Sequence, residues 1–171
     1  MDTRTDSEAS CQRQLDLLAD ACARFAADLY LFVARRVIED LGPAGERSVR
    51  EGLHEFGIAR GEEIRAAASD SGDPIDLPSF FKHYNLPMGR AWRSEETTSE
   101  DRRGVTVNYC PFADQWRARG GDREGQIYCE EVDPAIREGF SSELHFTASR
   151  FILREGECCI QLDEMFARDQ V

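Results

Sequence analysis

Apolar side chains recur at steps of three and four along residues 8–41, which is the spacing of one face of an α-helix. The stripe consists of Leu15, Leu18, Cys22, Phe25, Leu29 and Phe32. The segment LGPAG at 41–45 ends the pattern, because glycine and proline both interrupt helices. The sequence therefore predicts a long first helix with a narrow apolar face. That face suits a partner helix, either in the same chain or in a second copy of a homodimer, although packing on the protein's own sheet is the more ordinary outcome.

A second helical pattern follows and is weaker than the first. Its apolar positions are Val49, Leu53, Phe56 and Ile64, and the glycines that weaken it are Gly52, Gly57 and Gly61. The polar segment SDSGDPIDLP at 69–78 predicts a loop, and residues 79–84 predict a short helical turn.

From Gly89 the apolar spacing changes towards the alternation that is typical of β-strands. Segments 90–97 and 104–109 predict two strands joined by the polar turn SEDR. Val105, Val107 and Tyr109 share one face of the second strand.

Helices are predicted again after Pro111, ending by Gly120–Gly121, and over residues 124–139. Segments 143–154 and 157–166 flank REGE, a predicted hairpin turn. The whole pattern predicts an α+β fold, in which N-terminal helices precede an antiparallel sheet of about four strands with inserted helices. We expect a single domain over 1–171, with a mainly helical part at 8–85 and a sheet-containing part at 89–166.

Composition and charge exclude some classes of partner. The 171 residues carry a net charge of −12 at pH 7, which disfavours nucleic acid and anionic membrane surfaces. No stretch approaches the roughly 18 apolar residues of a membrane span, and the polar N-terminus lacks the apolar core of a secretory signal. We therefore expect a cytoplasmic protein. Lys82 is the only lysine, so a Schiff base could form nowhere else.

Candidate chemistry comes from six cysteines, at positions 11, 22, 110, 129, 158 and 159. Without a secretory signal, an even count does not predict disulfides. The chain has no Cys-x-x-Cys and no His-x-x-x-His pair, so the spacing does not favour zinc. We expect no metal and no cofactor, and a site of Cys and Asp ligands is the less favoured alternative.

Cys110 lies in VNYCPFADQW, where a strand passes into a helix. Pro111 suits the first position of that helix, which makes Cys110 its predicted N-cap. Unpaired N–H groups and the helix dipole favour an anion there, so we expect a lowered thiol pKa and a reactive thiolate. The alternative is a small, half-buried cap residue without chemistry.

Cys129 lies in IYCEEVD, four residues before Asp133. In a continuous helix both side chains lie on one face, one turn apart, and the carboxylate could relay a proton. The favoured alternative is that Asp133 and Pro134 start a new helix, with Asp133 as its N-cap. Cys129 would then be a buried structural residue.

The last two cysteines point to opposite faces of the predicted final strand. Cys158 goes with Ile160 and Leu162 and is expected in the core, whereas Cys159 goes with Gln161 and Asp163 and could line a pocket. His145 faces away from Leu144 and Phe146 in its strand, and such an isolated histidine is more often structural than catalytic.

Three stretches in order carry a resemblance to a known family. They are VNYCPFADQW, IYCEEVDPAIREGFSSELHF and FILREGECCIQL. Together they resemble the L-2-amino-thiazoline-4-carboxylic acid hydrolase family, which has a Cys-Pro followed by Trp, a Tyr-Cys with a downstream Asp and Gly-Phe, and a Gly-acid turn before a final Cys. The resemblance covers residues 104–163. Either Cys158 or Cys159 matches the final cysteine.

The resemblance implies a small-molecule hydrolase that opens a cyclic amidine, as the namesake reaction yields N-carbamoyl-cysteine. Its catalytic residues would be Cys110, Cys129 and Asp133, with either thiol as the nucleophile and the helix after Pro111 stabilising negative charge. Arg90 or Arg150 would hold the substrate carboxylate. The expected substrate-binding residues are Tyr109, Tyr128, Arg90, Trp92, His145, Arg150 and Cys159.

Two other functions fit the same residues. Helices followed by an antiparallel sheet and a late Gly-acid-x-Cys turn also resemble small-molecule-binding domains of the 4-vinyl-reductase type, which would hold a ligand without converting it. A ring-forming or ring-opening enzyme of a specialised biosynthetic pathway is the third interpretation, because pocket shape rather than fold decides the substrate.

Overall fold

The computed structural model describes residues 3–99 and 101–166, with side chains from residue 9 onward. Helix α1 spans Thr3–Leu41 and α2 spans Pro43–Asp70. They are separated by Gly42, whose positive φ of 58° allows the chain to turn before Pro43 starts the next helix. Helix α3, Leu77–Lys82, begins where the Asp76 carboxylate accepts the Ser79 N–H at 2.8 Å.

Helix α1 packs through a face made mostly of alanine. The buried positions are Ala19, Ala23, Ala27, Leu31 and Ala34. The predicted apolar stripe lies on nearly the opposite side and is exposed, so the expectation that it packs on the protein's own sheet is wrong. The physical reason is that small alanines let α1 approach α2 and the later helices closely, which bulky Leu and Phe would prevent.

Helices α4 and α5 span Pro111–Ala118 and Asp122–Phe140. Because α5 continues through Pro134, the prediction that Asp133 caps a new helix there is wrong. Helix α2 packs along α5 on both sides of that residue. A Cβ added to Gly61 would lie 2.2 Å from the Ile136 carbonyl oxygen, so a glycine that weakens the helical pattern is required by packing.

The four strands confirm the predicted antiparallel sheet, in the order β1-β2-β4-β3. They are β1 Arg93–Thr98, β2 Arg102–Tyr109, β3 Leu144–Arg150 and β4 Cys159–Met165. The first strand begins later than predicted, because Gly89–Ala91 forms a 3₁₀ turn. The predicted REGE hairpin is longer than expected, because α6, Ile152–Glu155, precedes a turn at Gly156 with φ of 90°.

The sheet turns the polar face of β4 inward. Cys159 and Asp163 are buried, whereas Ile160 is exposed and Cys158 is half-buried. The prediction of Cys158 as core is therefore wrong. The inward face is stabilised by the buried pair of Asp163 with Arg137 of α5, which compensates for burying a carboxylate.

Two apolar clusters hold the layers together. One joins α2, α3 and α5 and contains Phe80 and Phe140, whose rings meet edge to face. The other joins α1 and α4 around the fully buried Trp116, whose indole N–H donates to the Ala27 carbonyl at 2.9 Å. Within the described residues, no helix is long and apolar enough to span a membrane.

Candidate functional site

A cavity of about 370 Å³ lies between the helices and the inner face of the sheet. Its volume is in the range of small-ligand pockets. Ser94 and Glu96 of β1 are exposed, so the cavity reaches the surface beside that strand. The predicted site residues that line it are Trp92, Cys110, Tyr128, Cys129, Asp133 and Cys159.

Cys110 is the N-cap of α4, as predicted, and its sulfur accepts the Ala113 N–H at 3.4 Å. The expected lowering of its pKa is wrong. Burial disfavours the thiolate and raises the pKa of the Cys110 thiol to about 12, although the Ala113 and Phe112 amides and the Trp92 side chain oppose that rise. For Cys110, the rise in pKa caused by desolvation is therefore larger than the lowering caused by the amides at the helix N-terminus. The amides of this helix start also point at the thiol rather than at a free oxyanion position.

Cys129 and Asp133 lie one turn apart on α5 and both line the cavity. Burial raises the pKa of the Cys129 thiol well above its ordinary value, and the nearby Asp133 charge raises it further. Burial also raises the pKa of Asp133, while the Arg137 guanidinium opposes that effect. The Cys129 thiol is therefore protonated at neutral pH, and its carboxylate neighbour is a stronger base than an exposed aspartate.

Cys159 contributes a third thiol from the sheet side. Its sulfur accepts the Ile152 N–H at 3.2 Å, and burial raises its pKa. The three thiols are close enough for the charges of their thiolates to interact, because Cys110 and Cys159 each raise the pKa of Cys129. The start of α4, helix α5 and strand β4 thus each contribute one thiol to the cavity lining.

The arginines of the cavity are not those predicted. Arg137 donates from Nε to Asp163 at 2.8 Å and from Nη1 to the Asp133 carbonyl oxygen at 3.0 Å. Arg103 pairs with Glu96 at 2.5 Å and lies over the Phe81 ring at 3.5 Å.

Arg60 lines the same cavity and hydrogen-bonds the carbonyl and side-chain oxygens of Asn85 at 3.2 and 3.0 Å. Among the described residues it has no carboxylate in ion-pair contact. Arg137 and Arg103 already have such partners, so Arg60 is the cavity arginine best able to accept a carboxylate from a ligand.

Four predicted substrate-binding residues lie outside the cavity. Arg90 pairs with Asp16 at 2.7 Å, and Arg150 pairs with Glu157 at 2.7 Å on the surface. Tyr109 turns towards α1, where its hydroxyl donates to Asp20 at 2.7 Å.

His145, the fourth, is exposed and its ring packs on Phe166 at 5.0 Å. The strand alternation that separates it from Leu144 and Phe146 also turns it away from the cavity.

The two predicted aromatic lining residues belong to an aromatic cluster. The Trp92 ring meets Phe112 at 5.1 Å, and Phe112 meets Tyr128 at 5.7 Å. Burial raises the pKa of Tyr128, so its hydroxyl is a neutral donor at the cavity wall. This wall is aromatic, and the thiols and the acids Asp133 and Asp163 lie on α5 and β4.

Sequence reasoning missed Arg60 and Arg137, and it placed Asp163 beside Cys159 on a strand face that could line a pocket without naming it as a site residue. Arg137 carries a signal, because positions 129, 133 and 137 follow one another at the four-residue spacing of a helix face. The sequence around Arg60 has no such signal, since its position at the cavity depends on how α2 packs against α5. Within the described part of the chain, no group of three or more His, Cys, Asp or Glu side chains is arranged to hold a metal ion.

The structure thus defines an α+β protein with a thiol- and carboxylate-lined cavity between a helical layer and an antiparallel sheet. The family model described as L-2-amino-thiazoline-4-carboxylic acid hydrolase matches residues 22–160, more than half of the chain. The chain belongs to this family. The match begins within α1, so it covers α2 and the cavity wall as well as the cysteine motifs.

Solved structures include one with a similar fold. It is the crystal structure of a trafficking protein particle complex subunit 3 from Naegleria fowleri covalently bound to palmitic acid. The TM-score is 0.52 with 10% sequence identity, over 86% of this chain and 96% of that chain. At that identity the likeness concerns the fold alone. A comparison with curated proteins gave no match.

Proposed function

We propose that the protein hydrolyses a small carboxylated ring containing a C=N bond, such as a 2-amino-thiazoline, with Cys129 as nucleophile and Asp133 as base. The observation that carries this proposal is the position of Cys129 and Asp133 one turn apart on α5, both lining the cavity. Membership of the hydrolase family supports the reaction class.

The cavity thiols are protonated at neutral pH, so Cys129 needs a base before its sulfur can attack. Asp133 is placed to act as that base. At a four-residue spacing the two Cβ atoms are about 5–6 Å apart, within reach of direct or water-bridged proton transfer. A cationic amidinium entering the cavity favours both the carboxylate and the thiolate, because it places a positive charge beside them. Substrate binding therefore activates a nucleophile that rests in its unreactive form.

The chemical steps balance with one water. The Cys129 sulfur bonds to the ring carbon between the ring sulfur and nitrogen, Asp133 takes the thiol proton, and the ring sulfur leaves as a thiol after protonation. Water then adds to the enzyme-bound isothiourea carbon, and the bond from that carbon to the Cys129 sulfur breaks. The products are a ureido thiol and the free enzyme.

Cys129 is preferred to Cys110 because the sulfur of Cys110 already accepts the Ala113 N–H as a helix cap. Arg60 is proposed to bind the substrate carboxylate in place of Arg90 and Arg150, whose guanidiniums pair with surface acids. Its bonds to Asn85 are to neutral oxygens, which a charged carboxylate readily replaces.

The test is turnover of 2-amino-thiazoline-4-carboxylate, measured as formation of the ureido product by mass spectrometry. We expect Cys129→Ser and Asp133→Asn each to lower the rate at least about 100-fold, and Arg60→Gln to raise KM more than it lowers kcat. Arg90→Gln is the matched control, since its guanidinium lies outside the cavity, and it should leave turnover unchanged. Full activity in Cys129→Ser would exclude the covalent mechanism.

A non-catalytic ligand-binding role is the second candidate. It is favoured by the raised pKa values of Cys110 and Cys129 and by the aromatic wall, which together suit retention of a ligand better than attack on it. The palmitate in the trafficking-complex subunit belongs to that protein and supports this role only through the shared fold. Binding of the thiazoline, detected as a rise in Tm, without any product would favour this second role.

A further inference from the structure

An apolar stripe runs along the exposed side of α1. Its members are Leu15, Leu18, Cys22, Phe25, Leu29 and Phe32. Phe25 is 72% exposed and Leu29 is 60% exposed, although both side chains are large and apolar. The buried alanine face of the same helix points in nearly the opposite direction, so none of these side chains is needed to attach α1 to the rest of the described protein.

The spacing of the stripe is that of a coiled-coil seam. From Leu15 to Phe32 the steps alternate strictly as three, four, three, four and three, which places the members at successive a and d positions of a heptad. One step of four before Leu15 lies Cys11, which is also exposed. No charged residue interrupts the seam between Leu15 and Phe32.

The positions that flank the seam also suit a close helix partner. Ala21, Ala26 and Val33 occupy e and g positions, where small or apolar side chains let two helices approach. The charged flanking residues Asp28 and Arg35 are held by their own protomer, through Arg119 at 3.1 Å and Glu124 at 3.0 Å respectively. The surface available to a partner is therefore apolar, and its flanking charges are not free to pair with a different protein.

The area is adequate for a stable pair. The five large apolar members and Val33 each expose on the order of 100 Å², or roughly 600 Å² per protomer, compared with about 800 Å² per partner in a typical stable interface. A contiguous apolar patch at the upper limit for monomers marks an interaction surface. A self-complementary seam on a single helix is satisfied by the same seam of another molecule.

We infer that this stripe is the interface of a homodimer, in which α1 of one copy packs along α1 of a second copy with Cys22 near the two-fold axis. The inference is independent of the proposed chemistry, because the stripe lies on the opposite side of α1 from the elements that build the cavity.

The first measurement is the molar mass of the full chain in solution. We expect a mass near twice 19.4 kDa for the native protein and a mass of 19.4 kDa for Phe25→Glu and Leu29→Glu. The matched control is Leu17→Glu, because Leu17 lies on the same helix and is also 72% exposed but points away from the seam. Circular dichroism checks that each variant keeps its helix content.

A second measurement reports contact at the seam itself. A short bismaleimide should link two native chains through Cys22, and Cys22→Ser or Phe25→Glu should abolish that link. Additional linkage through Cys11 indicates parallel helices, whereas an antiparallel pair centred on the stripe separates the two Cys11 residues by about 37 Å along the axis.

A monomeric native chain at every protein concentration tested would overturn the inference and leave the stripe to a different partner. So would a dimer that persists in both Phe25→Glu and Leu29→Glu, since the interface would then lie elsewhere.

Discussion

Arg137 of α5 and Asp163 of β4 form a buried ion pair at the floor of the cavity, with Nε donating to Oδ1 at 2.8 Å. The pair fastens the helix that carries Cys129 and Asp133 to the central part of the sheet. The Arg137 guanidinium also lies 4.6 Å from the centre of the Phe146 ring, so the charge is enclosed by both a carboxylate and an aromatic face. The positions of Cys129 and Asp133 relative to the sheet therefore depend on this ion pair, which is enclosed in the protein interior.

Breaking this pair on one side should be costly. Asp163→Leu leaves Arg137 buried without its main partner, and we expect a loss of about 3–5 kcal/mol in the free energy of unfolding. The double variant Arg137→Met/Asp163→Leu should recover most of that loss, because it removes both charges. Urea denaturation of the two variants checks the prediction. Equal destabilisation of the single and double variants would show that the pair contributes through packing rather than charge.

Two glycines of α2 should respond to alanine in opposite directions. A Cβ at Gly61 would lie 2.2 Å from the Ile136 carbonyl oxygen, so Gly61→Ala forces α2 and α5 apart and should destabilise by roughly 1–3 kcal/mol. A Cβ at Gly52 meets nothing within 4 Å, so Gly52→Ala should stabilise the helix by about 0.5–1 kcal/mol. Thermal unfolding of both variants measures the difference. A similar Tm for the two would mean that the α2–α5 contact is looser than the structure indicates.

The order and type of the elements could be predicted from the sequence because the apolar period changes from helical to alternating near Gly89. The sequence could not predict whether the α1 stripe faces the interior or the solvent. Both faces of α1 are apolar, one through alanine and one through Leu and Phe, and only packing decides that the small face turns inward.

Part of the site was predictable for a different reason. Local rules for helix caps and strand alternation predicted the cap position of Cys110 and the inward side of Cys159, and both residues line the cavity. The favoured local interpretation of Cys129 was wrong, and only the family resemblance made it a candidate. The pKa of Cys110 was predicted in the wrong direction, because a sequence shows the helix N-terminus but not the desolvation that outweighs it. Arg60 was missed because its place at the cavity is set by tertiary packing alone.

Asp133 should make the protein less stable as pH rises through the acid range. Burial raises its pKa above the ordinary value of 3.8, so the folded state holds this proton at pH values where the unfolded state has lost it. The contribution of Asp133 to the free energy of unfolding is therefore greatest below the pKa of the unfolded state. It falls as pH rises and becomes constant above the raised pKa of the folded state. We expect Asp133→Asn, which has no such loss, to be more stable than the native protein at neutral pH. Denaturation curves at several pH values compare the two proteins.

The control for that comparison is Asp70→Asn, at the exposed end of α2. It makes the same acid-to-amide change at an exposed position away from the cavity. A difference between native protein and Asp133→Asn that is constant with pH would contradict the raised pKa.

Turnover should follow the ionisation of Asp133 rather than that of a free thiol. With Asp133 as the base for Cys129, the rate rises as pH increases through the raised pKa of the carboxyl and then levels off. An unassisted thiolate would instead give a rate that climbs about tenfold per pH unit across the neutral range. The pH profile of kcat/KM distinguishes the two, provided that the free thiazoline does not titrate in the range measured.

Alkylation of Cys110 should be slow at neutral pH and strongly pH-dependent. With a pKa of about 12, its thiolate fraction rises about tenfold per pH unit between neutral and mildly alkaline solution, whereas an exposed cysteine levels off near its ordinary pKa of about 8.5. Iodoacetamide labelling followed by peptide mass mapping measures the rate at each cysteine. The same peptide in the denatured protein is the internal reference, since unfolding removes the desolvation. Rapid labelling of Cys110 that is independent of pH above neutrality would mean that the helix N-terminus governs this thiol after all.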